Sequence, residues 1–419
     1  MFKTLNHELN FLANPKPVRP DIYSAEGRTK ILSASALARA SAEITSWPGY
    51  HPTELRHLDG LAAAAGLRGI LYKDEGARFG LGSFKALGGA YAVASYLQSA
   101  VLAKSGKRST SGDLATGGLR DLTSDITVTC ATDGNHGRSV AWGAQKFGCR
   151  CVIYVHATVS QARREAIAAF GAEVRAVEGT YDDAVRQADE HAAFNGWQVI
   201  SDTSYEGYTD VPRDVMQGYG VIVDEVISQM PDGLLPTHVF IQGGVGGLAA
   251  SVCAYFWERF GANAPAFFVV EPVKAQCILL SARAGHPVAD RGALDTIMAG
   301  LACGEVSLLA WQILEAGVDG FISIADEAAA DTMRLLASGT YHDRPIVAGE
   351  SAVAGLAAAL IASGDPAARK AMRLDRDSVV LAIGTEGATD PALYAGIVGR
   401  SAESIVPGWS RNPSLESTE

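Results

Sequence analysis

From residue 126 onward the chain alternates short, mostly apolar runs with amphipathic stretches. The runs at 126–131, 151–155, 173–177, 198–200, 238–241, 266–271 and 378–383 predict strands. Residues 160–170 predict a helix ending at Gly171, a residue able to take the left-handed conformation of a C-cap. Thr180 predicts the N-cap of a helix over 182–194, with Asp183 at its third position. Apolar strand runs suit sheets covered on both faces, and repeated strand–helix–strand units make such sheets parallel. The expected fold class is therefore α/β, doubly wound, with open, mostly parallel sheets flanked by helices. Two stretches break the rhythm. Residues 103–124, which carry Lys104-Ser105-Gly106-Lys107-Arg108-Ser109 and later Gly117-Gly118, predict an exposed, mobile insertion. The Ser-, Pro- and Asn-rich tail beyond Pro407 is expected to be loose.

Composition narrows the class. A chain of 419 residues that is 48% hydrophobic has enough apolar material for two to three domain cores. The net charge of −11 argues against nucleic acid or an anionic membrane surface as a partner. No run approaches the roughly 18 apolar residues of a membrane span, and residues 1–7 have no signal-like apolar stretch, so the expected compartment is cytoplasmic. The six cysteines form no C-x-x-C pair, so no metal site is expected from them. Buried, reduced thiols are the ordinary reading, with a Cys277–Cys303 disulfide as the alternative.

The chemistry concentrates at strand ends. Ser83-Phe84-Lys85 places a lysine between a glycine-rich turn and a helix, where a partly buried amine can lose its proton and form a Schiff base. Gly243-Gly244-Val245-Gly246-Gly247 leaves several backbone N–H groups open between a strand and a helix, an anion cradle without the lysine of a nucleotide-triphosphate loop. An amine for an aldehyde and a cradle for a phosphate fit pyridoxal 5'-phosphate (PLP). The window 244–249 also satisfies G-x-G-x-x-A with Glu271 ending the next strand, which taken alone predicts a nicotinamide dinucleotide site and a dehydrogenase. Thr132-Asp133-Gly134-Asn135-His136-Gly137 follows the strand at 126–131. There Asn135 can bond a phenolic oxygen, and Asp133 is either a proton carrier, a binder of a substrate cation, or a turn former. His136 is catalytic or merely packed. Asp202, followed by Tyr205 and Tyr208, lies at another strand end and could converge with Asp133. Thr385 could bond a pyridine nitrogen through a neutral hydroxyl, which leaves the ring a weaker electron sink suited to elimination.

These motifs together resemble those of the fold-type II PLP enzymes, the tryptophan synthase β and threonine dehydratase group. Ser83-Phe84-Lys85, Gly134-Asn135-His136-Gly137, Gly243 to Gly247 and Gly349-Glu350-Ser351-Ala352 carry the likeness. Within the group the chain is similar to the diaminopropionate ammonia-lyases. That likeness lies in Thr132 to Arg138, Asp202 to Tyr208, Met298 to Glu305 and Thr385-Glu386-Gly387. The resemblance implies a larger PLP-binding domain (1–92 and 206–419) and a smaller mobile one (93–205). It also implies a homodimer acting on a small amino acid. The reaction implied is α,β-elimination of D- or L-2,3-diaminopropionate to pyruvate and ammonia, with serine/threonine dehydration or another β-elimination as the alternative. Lys85, Asp133 and Asp202 would be catalytic. Phe84, Lys85, Asn135, Gly243, Gly244, Val245, Gly246, Gly247 and Thr385 would hold the cofactor.

Overall fold

The structure, a computed structural model, describes residues 5–16, 31–132, 134–157, 159–179, 181–231 and 234–409. Its strands are β1 (Leu9–Ala13), β2 (Leu55–His57), β3 (Gly69–Asp74), β4 (Thr127–Ala131), β5 (Arg150–His156), β6 (Glu173–Val177), β7 (Gln198–Val199), β8 (His238–Gln242), β9 (Ala266–Pro272), β10 (Gly320–Ile324) and β11 (Val379–Gly384). The chain divides into two compact units. One comprises residues 1–34, 52–83 and 222–419, and the other 35–51 and 84–221.

The larger unit is built on a seven-stranded sheet of order β1-β10-β9-β8-β11-β3-β2. The inner pairs are parallel, while the two rims are antiparallel: β1 lies against β10, and β2 against β3. Strands β8, β10 and β11 are buried along their whole length, as covered parallel strands must be. The core continues into the Ala354–Gly364 helix, which is nearly all Ala, Leu and Ile and is buried on every side. Beside β3 a buried ionic network fixes the turn that follows. Arg78 forks onto Glu75 (2.8 Å from Nε and from Nη2) and onto Glu225 (2.7 and 2.8 Å). Lys73 reaches Glu225 at 2.7 Å, the Thr53 carbonyl at 2.6 Å and Gln229 at 2.9 Å.

The smaller unit carries the four-stranded parallel sheet β6-β5-β4-β7. Its helix Lys85–Ser105 packs closely on Asn135–Phe147. A Cβ on Gly89 would sit 2.4 Å from the Ser139 hydroxyl, and one on Gly143 would sit 2.8 Å from Ala90 Cα. The first half of the helix Asp210–Gln229 crosses the same helix where Gly218 abuts the Leu87 carbonyl. These close approaches place residues 84–92 and 206–221 in the smaller unit, so the expected boundaries at 92 and 205 shift to 83 and 221. Residues 35–51 join them because Trp47 packs edge-on against Trp142 and Phe147.

The stretch 103–124 is exposed over residues 103–108, as expected, but it is not without structure. It completes the Lys85 helix and forms two short helices, Ser111–Ala115 and Arg120–Thr123. Thr110 and Asp113 make a reciprocal capping box, and the buried Ser111 is bonded by Trp47 and Glu43. The Lys85–Ser105 helix is, by length and composition, apolar enough to cross a bilayer, which the sequence reading did not register. Here most of it is buried as a core helix. The helix expected over 160–170 is Gln161–Ala168, with Ser160 as its N-cap and Ala169, not Gly171, as its C-cap. The proposed cap Thr180 lies outside the described residues, before a helix at Tyr181–Asn195.

Candidate active site

The candidate residues fall in both units, and each set has its own local architecture. In the smaller unit Lys85 opens its helix immediately after the chain crosses from the larger unit between Ser83 and Phe84. The Ser139 hydroxyl donates to the Lys85 carbonyl at 2.7 Å and accepts from Ala90 N–H at 3.1 Å, which locks this first turn to the Asn135–Phe147 helix. The Lys85 amine forms an ion pair with Oδ2 of Asp202, and both side chains keep a little under a fifth of their surface exposed. Burial by itself would raise the Asp202 carboxyl. The charges of Lys85 and His136 overcome it and hold the group ionised, well below the usual carboxylate range. Phe84 is buried against Tyr219 (4.7 Å between rings), and its own ring lies 5.3 Å from the Lys85 amine.

The loop bearing Asp202 is held by Tyr208. Its hydroxyl donates to the Val199 carbonyl at 2.8 Å and accepts from Ser201 N–H at 3.0 Å. Tyr205, singled out with it, is exposed. On the facing helix, Thr132 Oγ1 accepts from Gly134 and Gly137 N–H and fixes the turn that presents Asn135 and His136. Asn135 is the first residue of that helix. His136 is buried, with Nε2 2.8 Å from the Ile200 carbonyl and Nδ1 3.8 Å from Asp202. Lys85, Asp202 and His136 thus form one cluster. Its third member was left undecided by the sequence, because a histidine in a turn gives no signal of what its far nitrogen meets. Asp133 lies outside the described residues, so its convergence with Asp202 is not described.

In the larger unit the glycine loop joins β8 to the helix Gly247–Phe260, the strand-to-helix turn its sequence predicted. Gly244 and Gly246 take left-handed φ values of 59° and 92°. A Cβ on Gly243 would come within 2.7 Å of Glu271, and one on Gly246 within 3.1 Å of Ala310 and Leu314. The loop therefore packs too closely on its surroundings to accept side chains there, and it leads straight into a helix N-terminus, whose open N–H groups suit a phosphate. Val245 is held by its carbonyl, which accepts from Ser307 N–H at 2.9 Å. Gln242, just before the loop, donates to the Ala352 and Ile383 carbonyls (both 2.7 Å) and at 3.5 Å to the hydroxyl of Thr385. That residue and Glu386 are buried at the end of β11, and Glu386 bonds Ser351 N–H.

Glu271 decides against the dinucleotide reading. It is buried, and its carboxyl accepts from Ile278 and Leu279 N–H at 2.9 and 2.8 Å, capping the next helix rather than offering itself to a ribose. Burial pushes it up to about 8. The alternative disulfide does not form, and Cys277 and Cys303 both remain thiols.

Comparison with known proteins closes the question of kinship. The profile of pyridoxal-phosphate dependent enzymes matches residues 46–386. Diaminopropionate ammonia-lyase of Escherichia coli K12 is 41% identical over 367 residues, covering 86% of this chain and 90% of the relative. The holo crystal structure of the Escherichia coli enzyme superimposes with a TM-score of 0.85 at 37% identity, covering 94% of this chain and 98% of its own. A further crystal structure of that enzyme, holding an aminoacrylate–PLP azomethine reaction intermediate, matches over the same share of both chains with a TM-score of 0.83.

Proposed function

Because the chain belongs to the pyridoxal-phosphate dependent enzymes, we propose that it converts 2,3-diaminopropionate and water to pyruvate and two molecules of ammonia by α,β-elimination. The observation that carries this reading is the Lys85–Asp202 ion pair, an amine at the head of a helix met by an ionised carboxylate from the loop after β7. The residues fit the cofactor: a glycine loop at a helix N-terminus for its phosphate, a partly buried amine for its aldehyde, and a buried hydroxyl at Thr385 for its ring nitrogen. Bound PLP supplies an electron-withdrawing ring that acidifies the α-proton of an attached amino acid.

The chain does the rest. Gly243, Gly244, Val245, Gly246 and Gly247 hold the phosphate through backbone N–H donors, Asn135 the phenolic oxygen, and Phe84 packs beside the amine. Lys85, once released by the incoming substrate amine, removes the α-proton of one isomer. Asp133 serves the opposite isomer. Asp202 offsets the positive charge of a β-ammonium group, which a hydroxyl-bearing substrate lacks. Thr385 leaves the ring nitrogen unprotonated, which limits side reactions. The working form we propose is a cytoplasmic homodimer, and light scattering of the purified protein checks the assembly.

Ammonia and pyruvate release tests the assignment across D- and L-diaminopropionate, serine and threonine. Two ammonia per pyruvate from a diaminopropionate isomer is the expected result, and faster turnover of serine or threonine moves the chain to the dehydratases. Asp202→Asn should lower diaminopropionate turnover by on the order of 100-fold, and serine turnover less. An unchanged preference between the two removes charge recognition from the role of Asp202.

A further inference from the structure

The tail was expected to be loose beyond Pro407, yet Gly408 and Trp409 have defined places in the larger unit. Ser401 caps the helix Ala402–Ile405. Gly408 then turns the chain at a left-handed φ of 87°, with its N–H on Glu403 Oε1 at 2.8 Å. Trp409 N–H donates to the Val406 carbonyl at 3.1 Å. Ile405, Val406 and Trp409 all pack on the main core. Residues 410–419 lie outside the described residues.

The indole covers the exits of two paired strands. β3 and β11 run parallel with Asp74 opposite Gly384, so the residues after them emerge side by side. They emerge at the carboxyl ends of the strands, where α/β sheets bind ligands. Gly76 and Gly387 stand in the two exits, and a Cβ on Gly76 would be 3.3 Å from Gly387 Cα. Trp409 lies against both. A Cβ on Gly387 would run into its six-membered ring, and one on Gly76 would come within 2.7 Å of Cη2. Two positions without side chains leave room that the broad indole fills.

The turn under the indole carries Thr385, the hydroxyl assigned above to the ring nitrogen. Its neighbours are tied to the rest of the unit through backbone. Gly349 N–H donates to the Glu386 carbonyl at 3.0 Å and Ser351 N–H to Glu386 Oε1 at 3.2 Å. Gly387 N–H donates at 2.9 Å to the carbonyl of Gly82, just ahead of Ser83-Phe84-Lys85 in the chain. Whatever holds Gly387 therefore bears on Thr385 and on the approach to Lys85 together.

We propose that Trp409 is a positioning residue for the cofactor: seated against Gly76 and Gly387, it holds the 385–387 turn where Thr385 meets the ring nitrogen. The inference rests on that assignment of Thr385. In this role Trp409 touches neither substrate nor reacting atoms and acts through the turn. Without the indole, Gly387 has the backbone freedom of a glycine and nothing broad over it, and the turn can carry Thr385 away from the ring. Such coupling is reciprocal, so the factor that the seated segment adds to cofactor affinity is returned by the cofactor to the seating of residues 401–409.

Titration of the apoprotein with PLP, followed by the visible absorbance of the bound form, gives the first reading. Trp409→Ala should raise the dissociation constant on the order of 10-fold. Trp409→Phe, which keeps a ring over both glycines, should recover most of that loss. Met372→Ala is the control for packing alone, since Met372 is buried at the start of β8, the far end of the parallel strands. It should lower the unfolding midpoint and leave PLP affinity unchanged. Hydrogen exchange of the wild-type chain gives the second reading and needs no variant: PLP should slow exchange across 401–409 by about the factor lost in Trp409→Ala. An affinity untouched by Trp409→Ala, a loss no larger than that of Met372→Ala, or exchange at 401–409 indifferent to PLP overturns the proposal. Thr385→Ala keeps the inference apart from the reading beneath it. An unchanged affinity in that variant removes Thr385 from the ring nitrogen, while a loss in Trp409→Ala still sets the turn against the cofactor. Neither reading involves turnover, so both stand even if the substrate panel redirects the assignment of the reaction.

Discussion

Two lysine–carboxylate clusters in this chain are built to opposite ends. In the larger unit Lys73, Glu75, Arg78 and Glu225 are at most 3% exposed, and the two cations spread their donors over two carboxylates, Thr53 and Gln229. In the smaller unit Lys85 and Asp202 are partly open, and the neighbouring imidazole keeps a nitrogen with no hydrogen bond. A saturated cluster holds one arrangement, since every departure strands a buried charge. An unsaturated one can change partners. The first fixes the turn leading from β3. The second holds the amine proposed to carry the cofactor.

The contrast can be broken most severely at its open end. Lys85→Ala should abolish elimination and the visible absorbance of lysine-bound cofactor, and a variant that retains that absorbance places the Schiff base elsewhere. Next in size is Arg78→Met, which leaves Glu75 and Glu225 with Lys73 alone. It should cost about 3–5 kcal/mol in denaturant unfolding, more than Lys85→Ala does. Equal losses would mean the two clusters do not differ in kind.

Glu271 sharpens the comparison as a buried carboxyl served by N–H donors and no cation. Its folded value of about 8 lies above the ordinary 4.5, so the native state binds this proton more tightly than the unfolded chain. Its contribution is complete below about 4.5 and is lost as pH rises toward 8. Glu271→Gln should flatten the decline in unfolding free energy across that window. The smallest effect belongs to the exposed pair of Lys104 and Asp125, where Lys104→Ala should leave the unfolding midpoint within experimental scatter.

The sequence disclosed the parts of this molecule whose physics is local. Strands β4, β5, β8, β9 and β11 were visible because their covered runs are largely apolar, β6 and β7 as short runs beside them although β6 is mostly unburied, and the glycine loop because few other turns leave so much backbone bare. The rims β1 and β2 were not, since short edge strands with mixed burial carry little pattern, and the inner strands β3 and β10 were also missed, although both are buried. The Lys85–Ser105 helix went unread beyond its first residues because it is buried on several faces and shows little periodicity. Lys85 and Asp202 were each legible as chemistry at the end of an element. Their pairing, the place of His136 beside them and the capping role of Glu271 depend on contacts between residues far apart in sequence.

One consequence follows from the outermost strand of the larger sheet. Asn10 of β1 bonds Ser323 of β10 across a separation of 313 residues. During synthesis β1 must wait, unzipped, until β10, 313 residues further on, has been translated, so this rim cannot close early.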